Sequence, residues 1–230
     1  SVSSSSISLD NWGILLSENI LNIVKIKNKF NKKITDFYKV ENPFSTAEAY
    51  KLKEIIEDKK FSNDFFYFIN TGTIDPFINL WGLKNTSYLK EKFLYPVIKR
   101  SKLKSLSLKR FNQSRNEKII ITAMRYFESF YDLKGDYVAG KSTIVVFKLN
   151  SKYNLKSLNV LFNSEFIANY IKSSYSALGI DGGINFSKNI VEELPLPNNF
   201  DKIQKKLEDY HDKIVSYTSD ETNFKKIKDE

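Results

Sequence analysis

The run Phe65-Phe66-Tyr67-Phe68-Ile69 constrains this chain more than any other feature. Five large apolar or aromatic residues in succession leave neither face of an extended segment polar. The run is therefore predicted as a buried strand, closed by the turn residues Thr71-Gly72-Thr73. Lys118 to Ala123 and Thr143 to Leu149 are apolar and β-branched and predict two further strands. Gly135 and Gly140 mark turns between them, which suggests a hairpin-like arrangement. A short strand is expected over Ile34 to Val40.

The flanking pattern is helical. Ile20, Leu21, Val24 and Ile26 give an apolar stripe to a helix over Ser17 to Phe30. Ser45-Thr46-Ala47-Glu48 is a capping box, which predicts a helix running to about Asp58. Leu155, Leu158, Leu161 and Phe162 share one helical face, and Ser164 is placed to cap a second helix through Tyr175. Gly179, Gly182 and Gly183 predict a flexible loop, and Leu194-Pro195-Leu196-Pro197 is expected to end the compact part. A last helix is predicted from about Asp201, with Ile203, Leu207, Tyr210 and Ile214 on one face, then a loose charged tail over Ser219 to Glu230. Without regular βαβ alternation, the class is α+β: a sheet-rich centre, packed helices and a C-terminal helix.

A chain of 230 residues with 41% hydrophobic and 14% aromatic residues can bury a real core. It has no cysteine, which excludes disulfides and thiolate metal sites and fits a reducing cytoplasm. No run of about 18 apolar residues predicts a membrane span. The polar opening Ser1 to Ser6 is not a signal peptide and reads as a frayed end or a cut through a longer chain.

The net charge is +9, in a chain that favours Lys, Asn, Ile, Phe and Tyr as products of AT-rich genomes do. Position carries more than the total. Lys84, Lys90, Lys92, Lys99, Arg100, Lys102, Lys104, Lys109, Arg110, Arg115 and Lys118 face only Glu91 and Glu117 within one stretch, which thus carries a charge equal to that of the whole chain. Arg100, Arg110, Arg115 and Arg125 are the only arginines. Guanidinium forms bidentate bonds to phosphate or guanine that ammonium cannot, so the stretch suggests geometry as well as charge. The alternative is an ordinary solvated basic loop.

Convergent catalytic residues are missing. The single histidine, His211, falls on the last predicted helix, where it reads as surface or filler, and no Ser–His–Asp or two-histidine metal site can be built. Gly135-x-x-x-x-Gly140-Lys141-Ser142 matches the spacing of a phosphate-binding loop. Such a loop opens a helix, whereas Thr143-Ile144-Val145-Val146-Phe147 is strand-like, so Lys141 is read instead as a DNA phosphate contact. Asn42-Pro43-Phe44 and Asp75-Pro76-Phe77 each lack one proline of the adenine-methylating Asn/Asp-Pro-Pro-Tyr/Phe motif. Glu57-Asp58-Lys59 has metal-nuclease spacing, but in a Lys-rich helix that is close to chance. The chain reads as a reader rather than a catalyst.

Three blocks together resemble a known family. They are Asn70 to Phe77 with Leu80-Trp81; Lys118 to Met124 with Phe127 to Asp132 and Gly140 to Thr143; and Leu158 to Ser164 with Tyr175, Gly182-Gly183 and Leu194 to Pro197. In order and spacing these are similar to the TaqI-like C-terminal specificity domain of type II (IIG) restriction–modification enzymes, over about Glu41 to Pro197. The resemblance implies a target recognition domain that binds double-stranded DNA. It also implies a separate N-terminal domain that binds S-adenosylmethionine and methylates adenine N6, with a nuclease in some members. No catalytic motif matches, so no cofactor or catalytic residue is carried over to this chain.

The implied division is 1–40 as a lead-in helix and connector that includes Trp12, 41–200 as the DNA target recognition domain, and 201–230 as the C-terminal helix and charged tail. The expected partners are double-stranded DNA and the methyltransferase domain of the parent chain, in the cytoplasm and away from membranes. The DNA-contacting residues are expected to be Lys99, Arg100, Lys102, Lys104, Arg110, Asn112, Gln113, Arg115, Asn116, Lys141 and Ser142. Amides interleaved with arginines are the usual readers of adenine and guanine edges. Trp81, Phe127, Phe130 and Tyr131 are expected in the core, Asn163-Ser164 at a helix cap, and Gly182-Gly183 in a positive-φ turn or a close backbone approach. The competing readings are a general nucleic-acid-binding module, a protein-interaction domain and a nucleotide-using enzyme built on Gly135 to Ser142.

Overall fold

The computed structural model describes residues 29–60, 62–150, 152–175, 179–180 and 183–228. Trp12, nearly all of the helix expected from Ser17, and Gly182 lie outside the described residues. In chain order the main elements are β1 (Tyr38–Glu41), α1 (Thr46–Lys53), β2 (Ile56–Asp58), β3 (Phe65–Ile69), β4 (Pro96–Lys99), α2 (Arg100–Leu106) and α3 (Leu108–Arg115). They continue with β5 (Lys118–Thr122), β6 (Ser129–Asp132), β7 (Tyr137–Ala139), β8 (Thr143–Lys148), α4 (Leu155–Phe162), α5 (Glu165–Ser174), α6 (Lys188–Glu192) and α7 (Phe200–Lys228). Short ribbons of strand pairs decorate the connections. The architecture is α+β, with helices packed on a sheet-rich centre.

Two four-stranded sheets form that centre. The first is antiparallel, in the order β6-β5-β8-β1. The second runs β7-β3-β4-β2, with β7 parallel to β3 and the other pairs antiparallel. The pleat sends alternate side chains to opposite faces. Ile119 and Ile121 of β5 accordingly join the core under α4, α5, α6 and α7. Ile120 faces a core shared between the sheets with Val145, Phe130, Ile69 and Ala139. Phe66 and Phe68 of β3 turn away from that core, toward α1, α2 and α3. The order is thus helices, sheet, sheet, helices, which is why the aromatic run is buried on both faces.

Several local expectations hold at the level of hydrogen bonds. Ser45 and Glu48 form the reciprocal capping box of α1 (2.8 and 3.3 Å). Ser164 caps α5 through the Ile167 N–H, and Asn163 binds the backbone of Ser129. Trp81, Phe127 and Tyr131 pack against the cores, and Phe130 lies within one.

Others change. α1 stops at Lys53, and Ile56 to Asp58 pair with β4 instead of extending the helix. The extended form packs Ile55 and Ile56 on the second-sheet core and lets the Asp58 carboxylate accept from the Leu94 and Tyr95 N–H groups. Leu194 to Pro197 does not end the compact part: Leu194 and Leu196 are fully buried, and Pro195–Leu196 pairs with Lys32–Lys33 in an edge ribbon that tolerates proline. The fold also takes in residues before 41, because Ile34, Tyr38 and Val40 sit in the first core. The last helix continues to Lys228 through most of the expected loose tail. Its inward stripe carries His211, 4% exposed, whereas Tyr210 points outward. The histidine is edge-on to Phe77 and Tyr131.

Candidate nucleic-acid interface

Strand register defines two ends of the paired sheets. At one end Lys118 lies opposite Asp132. At the other Thr122 lies opposite Thr143. The basic stretch begins on the Thr86–Tyr88/Glu91–Phe93 hairpin, whose turn residues Leu89 and Lys90 both have positive φ. It follows β4 and then enters α2 and α3. Ser107 ends α2 and caps α3 by accepting from the Arg110 N–H.

The eleven basic residues of this stretch divide by partner. Arg100 bonds Asp136 (3.1 Å) and lies over the Phe66 ring, and Lys102 bonds Glu57 (3.0 Å). Arg110 is 7% exposed: it holds Glu48 through two nitrogens (3.1 and 2.7 Å) and the Asn42 carbonyl through the third (3.1 Å). This contact pulls the Glu48 carboxyl down to about 2. Lys118 is fully buried against Asp132 and bonds the Ser114 and Asn116 carbonyls. Burial pushes its ammonium below the usual lysine range, and Asp132 opposes that shift. Lys84, Lys90, Lys92, Lys99, Lys104, Lys109 and Arg115 are exposed and form no salt bridge among the described residues.

The expected reading residues therefore do not share one surface. Lys99, Arg100, Arg115 and Asn116 lie toward the Lys118 end. Asn112 and Asn116 are exposed and line an open groove of about 560 Å³ with Lys109, Lys39 and Lys148. Gln113 reaches this groove from a buried position and donates to Glu41 (2.8 Å). Lys102 and Lys104 stand on α2. Lys141 and Ser142 lie at the Thr122 end, where Lys141 is exposed and the Ser142 N–H donates to Asn70.

The glycines of the phosphate-loop spacing have local structural causes. Gly135 has φ +67°, and a Cβ there would stand 2.1 Å from the Arg115 carbonyl oxygen. A Cβ on Gly140 would meet Asn70 Oδ1 at 2.6 Å. β7 runs between the two glycines and β8 follows Ser142, so no helix N-terminus faces the loop. Among the described residues no group of three or more His, Cys, Asp or Glu side chains could hold a metal. No described helix is long and apolar enough to cross a membrane.

Sequence reasoning missed Arg125 as a site candidate, although it counted the residue among the few arginines. Arg125 is exposed at φ +72° between exposed Met124 and Tyr126. It stands just past Lys118, where the counted basic stretch ends, beyond an apolar run that reads as strand.

No protein-family model matches the chain, and no curated protein matches it in sequence. Among solved structures, the chain is similar to one described as the crystal structure of a type-I restriction-modification system S subunit from M. genitalium. The TM-score is 0.49 at 12% identity, over 94% of this chain and 49% of that one. The chain thus spans about half the length of that subunit.

Proposed function

We propose that this chain is the DNA target recognition domain of a restriction–modification system. It would read sequence for a companion domain that methylates adenine N6 with S-adenosylmethionine, as the TaqI-like resemblance implies. The observation that carries the reading is the set of seven exposed cations from Lys84 to Arg115 without salt bridges among the described residues. Exposed lysines without salt bridges among the described residues also occur elsewhere, as at Lys51, Lys60 and Lys134. What sets this stretch apart is that its basic residues follow one another with only Glu91 and Glu117 between them.

In this reading Lys99, Lys104 and Lys109 contact phosphates and set the register, while Arg115, Asn112 and Asn116 project from the end of α3 toward base edges. Arg110 and Gln113 anchor α3 from inside. Adenine methylation needs the base out of the stack, and a recognition domain holds the duplex while it leaves.

The test is duplex binding by the chain at two salt concentrations. Neutralising about six phosphates should weaken binding by about 10³-fold between about 50 and 200 mM salt. Equal affinity at both would refute the reading. A steep salt response without any sequence preference in a randomised duplex pool would favour a general nucleic-acid-binding module.

A further inference from the structure

The connection between β5 and β6 is built unlike the other turns. Thr122 closes its base, its N–H donating to the Glu128 carbonyl (2.9 Å) and its hydroxyl accepting from the Glu128 N–H (3.2 Å). That hydroxyl also donates to the Tyr126 carbonyl. At the tip, the Tyr126 N–H donates to the Met124 carbonyl (3.1 Å) around Arg125 at φ +72°. This is a γ-turn of the positive-φ kind, which is rare and strained. A side chain as large as arginine in that region is unfavourable and persists only where its surroundings over-determine it.

The surroundings do so. Met124 and Arg125 pair with Asn185 and Ile184. The Ala123 N–H donates to Ser142 (3.1 Å), and its carbonyl accepts from Phe186 (2.9 Å). Phe127, next to the tip, is driven inward and packs edge-on against Phe162 and Phe186. These contacts fix a tip whose three side chains stand in solvent, with Met124 at 46% and Tyr126 at 67% exposure. No salt bridge holds Arg125 or the neighbouring Lys141 among the described residues.

We propose that Met124-Arg125-Tyr126 is a second DNA-contacting element that presses into duplex DNA at an opened base step. Arg125 contacts a base edge or phosphate, and Tyr126 and Met124 lie against the exposed base faces. The chemistry matches: a guanidinium complements the polyanion, while apolar and aromatic side chains that flank it act as a wedge at a destacked step. Lys141 supplies a phosphate contact at the same end of the sheets. The inference rests on the DNA-recognition reading and assigns it a separate element, away from α3.

The test uses the whole chain with two duplexes that share one strand and differ by one base in the other, so that one is fully paired and one carries a single mismatch. The wild-type chain should bind the mismatched duplex more tightly, because part of the destacking is already done. Tyr126→Ala should remove most of that preference, and Arg125→Ala should weaken binding to both duplexes about tenfold. Arg125→Gly relieves the backbone strain, so it should melt at or above the wild-type temperature while still binding weakly. Wild-type binding with unchanged affinity and mismatch preference in all three variants would overturn this inference and leave the DNA reading intact. Absence of wild-type binding to either duplex would overturn both. Melting of Arg125→Gly well below the wild type would show that the arginine serves the fold rather than DNA.

Discussion

Arg110 separates a structural from a reading role for the arginines. Its guanidinium joins α3 to the start of α1, with two hydrogen bonds to Glu48, one to the Asn42 carbonyl and the Phe44 ring 5.3 Å away. Hydrogen bonds to charged groups contribute about 1.5–3 kcal/mol each when buried. The Glu48 side chain is 34% exposed, so water replaces part of what the variant loses. Arg110→Ala should therefore destabilise the chain by about 2–4 kcal/mol at pH 7. The effect depends on pH with a definite sign. The Glu48 pKa is held at about 2, below its ordinary 4.5. Its contribution is fully present above about pH 4.5 and disappears as pH falls toward about 2. Urea denaturation across that range should show wild type and Arg110→Ala converging as acid is added. Arg110→Lys should be intermediate, because it keeps the charge and loses the fork. An Arg110→Ala chain as stable as wild type that loses its base preference would refute this reasoning and return Arg110 to the reading surface.

Three further outcomes follow from other sites. Burial holds the His211 imidazole below its ordinary 6.5, with Asp212 and Glu208 opposing and Lys156 reinforcing the shift. The melting temperature should therefore fall as pH drops below about 6.5, and His211→Leu should flatten that acid slope. Gly135→Ala forces a Cβ against the Arg115 carbonyl at positive φ, so urea titration should show a loss of at least about 1–3 kcal/mol. Lys118→Met leaves the buried Asp132 carboxylate without its cation and should cost about 3–5 kcal/mol, more than Lys102→Met at the half-exposed Glu57 pair.

What was legible in the sequence was local. The aromatic run, the two β-branched runs and the Ser45 and Ser164 caps each signal their element within a few residues. Sheet membership was not legible. β7 joins β3 in parallel, while its neighbour β8 crosses to the other sheet, an exchange that no periodicity records. The end of α1 was misplaced because a tertiary strand pairing overrode a favourable helical sequence. Within the candidate site, charge density was legible and its allocation was not. Arg110 and Arg115 look alike in sequence, yet one faces Glu48 and the other faces solvent over the Phe111 ring. Only the folded positions of distant carboxylates decide which cations remain free for a polyanion.

The end of α3 shows how that allocation positions the residues left outside. A helix C-terminus leaves carbonyl groups without partners. Here the buried Lys118 ammonium takes the Ser114 and Asn116 carbonyls, as a cation placed against the helix dipole. The same ammonium binds Asp132, whose two carboxylate oxygens accept the Asp136 and Tyr137 N–H groups at the start of β7. Gly135 fits the backbone of that turn against the Arg115 carbonyl. One buried lysine, one aspartate and one glycine thus lock the last turn of α3 onto both sheets. Arg115 and Asn116 emerge directly from this joint, so their backbone is immobilised by groups that never meet solvent. A contact that must discriminate bases needs its backbone held within a fraction of an ångström. Lys99 on β4 and Lys109 beside the anchored Arg110 also stand on held backbone, but their flexible ammonium-bearing stems suit phosphate, whose contacts need no such precision. In the proposed reading, the planar guanidinium and amide groups mounted on this joint are therefore the ones suited to base edges, and the ammonium groups around it to phosphate.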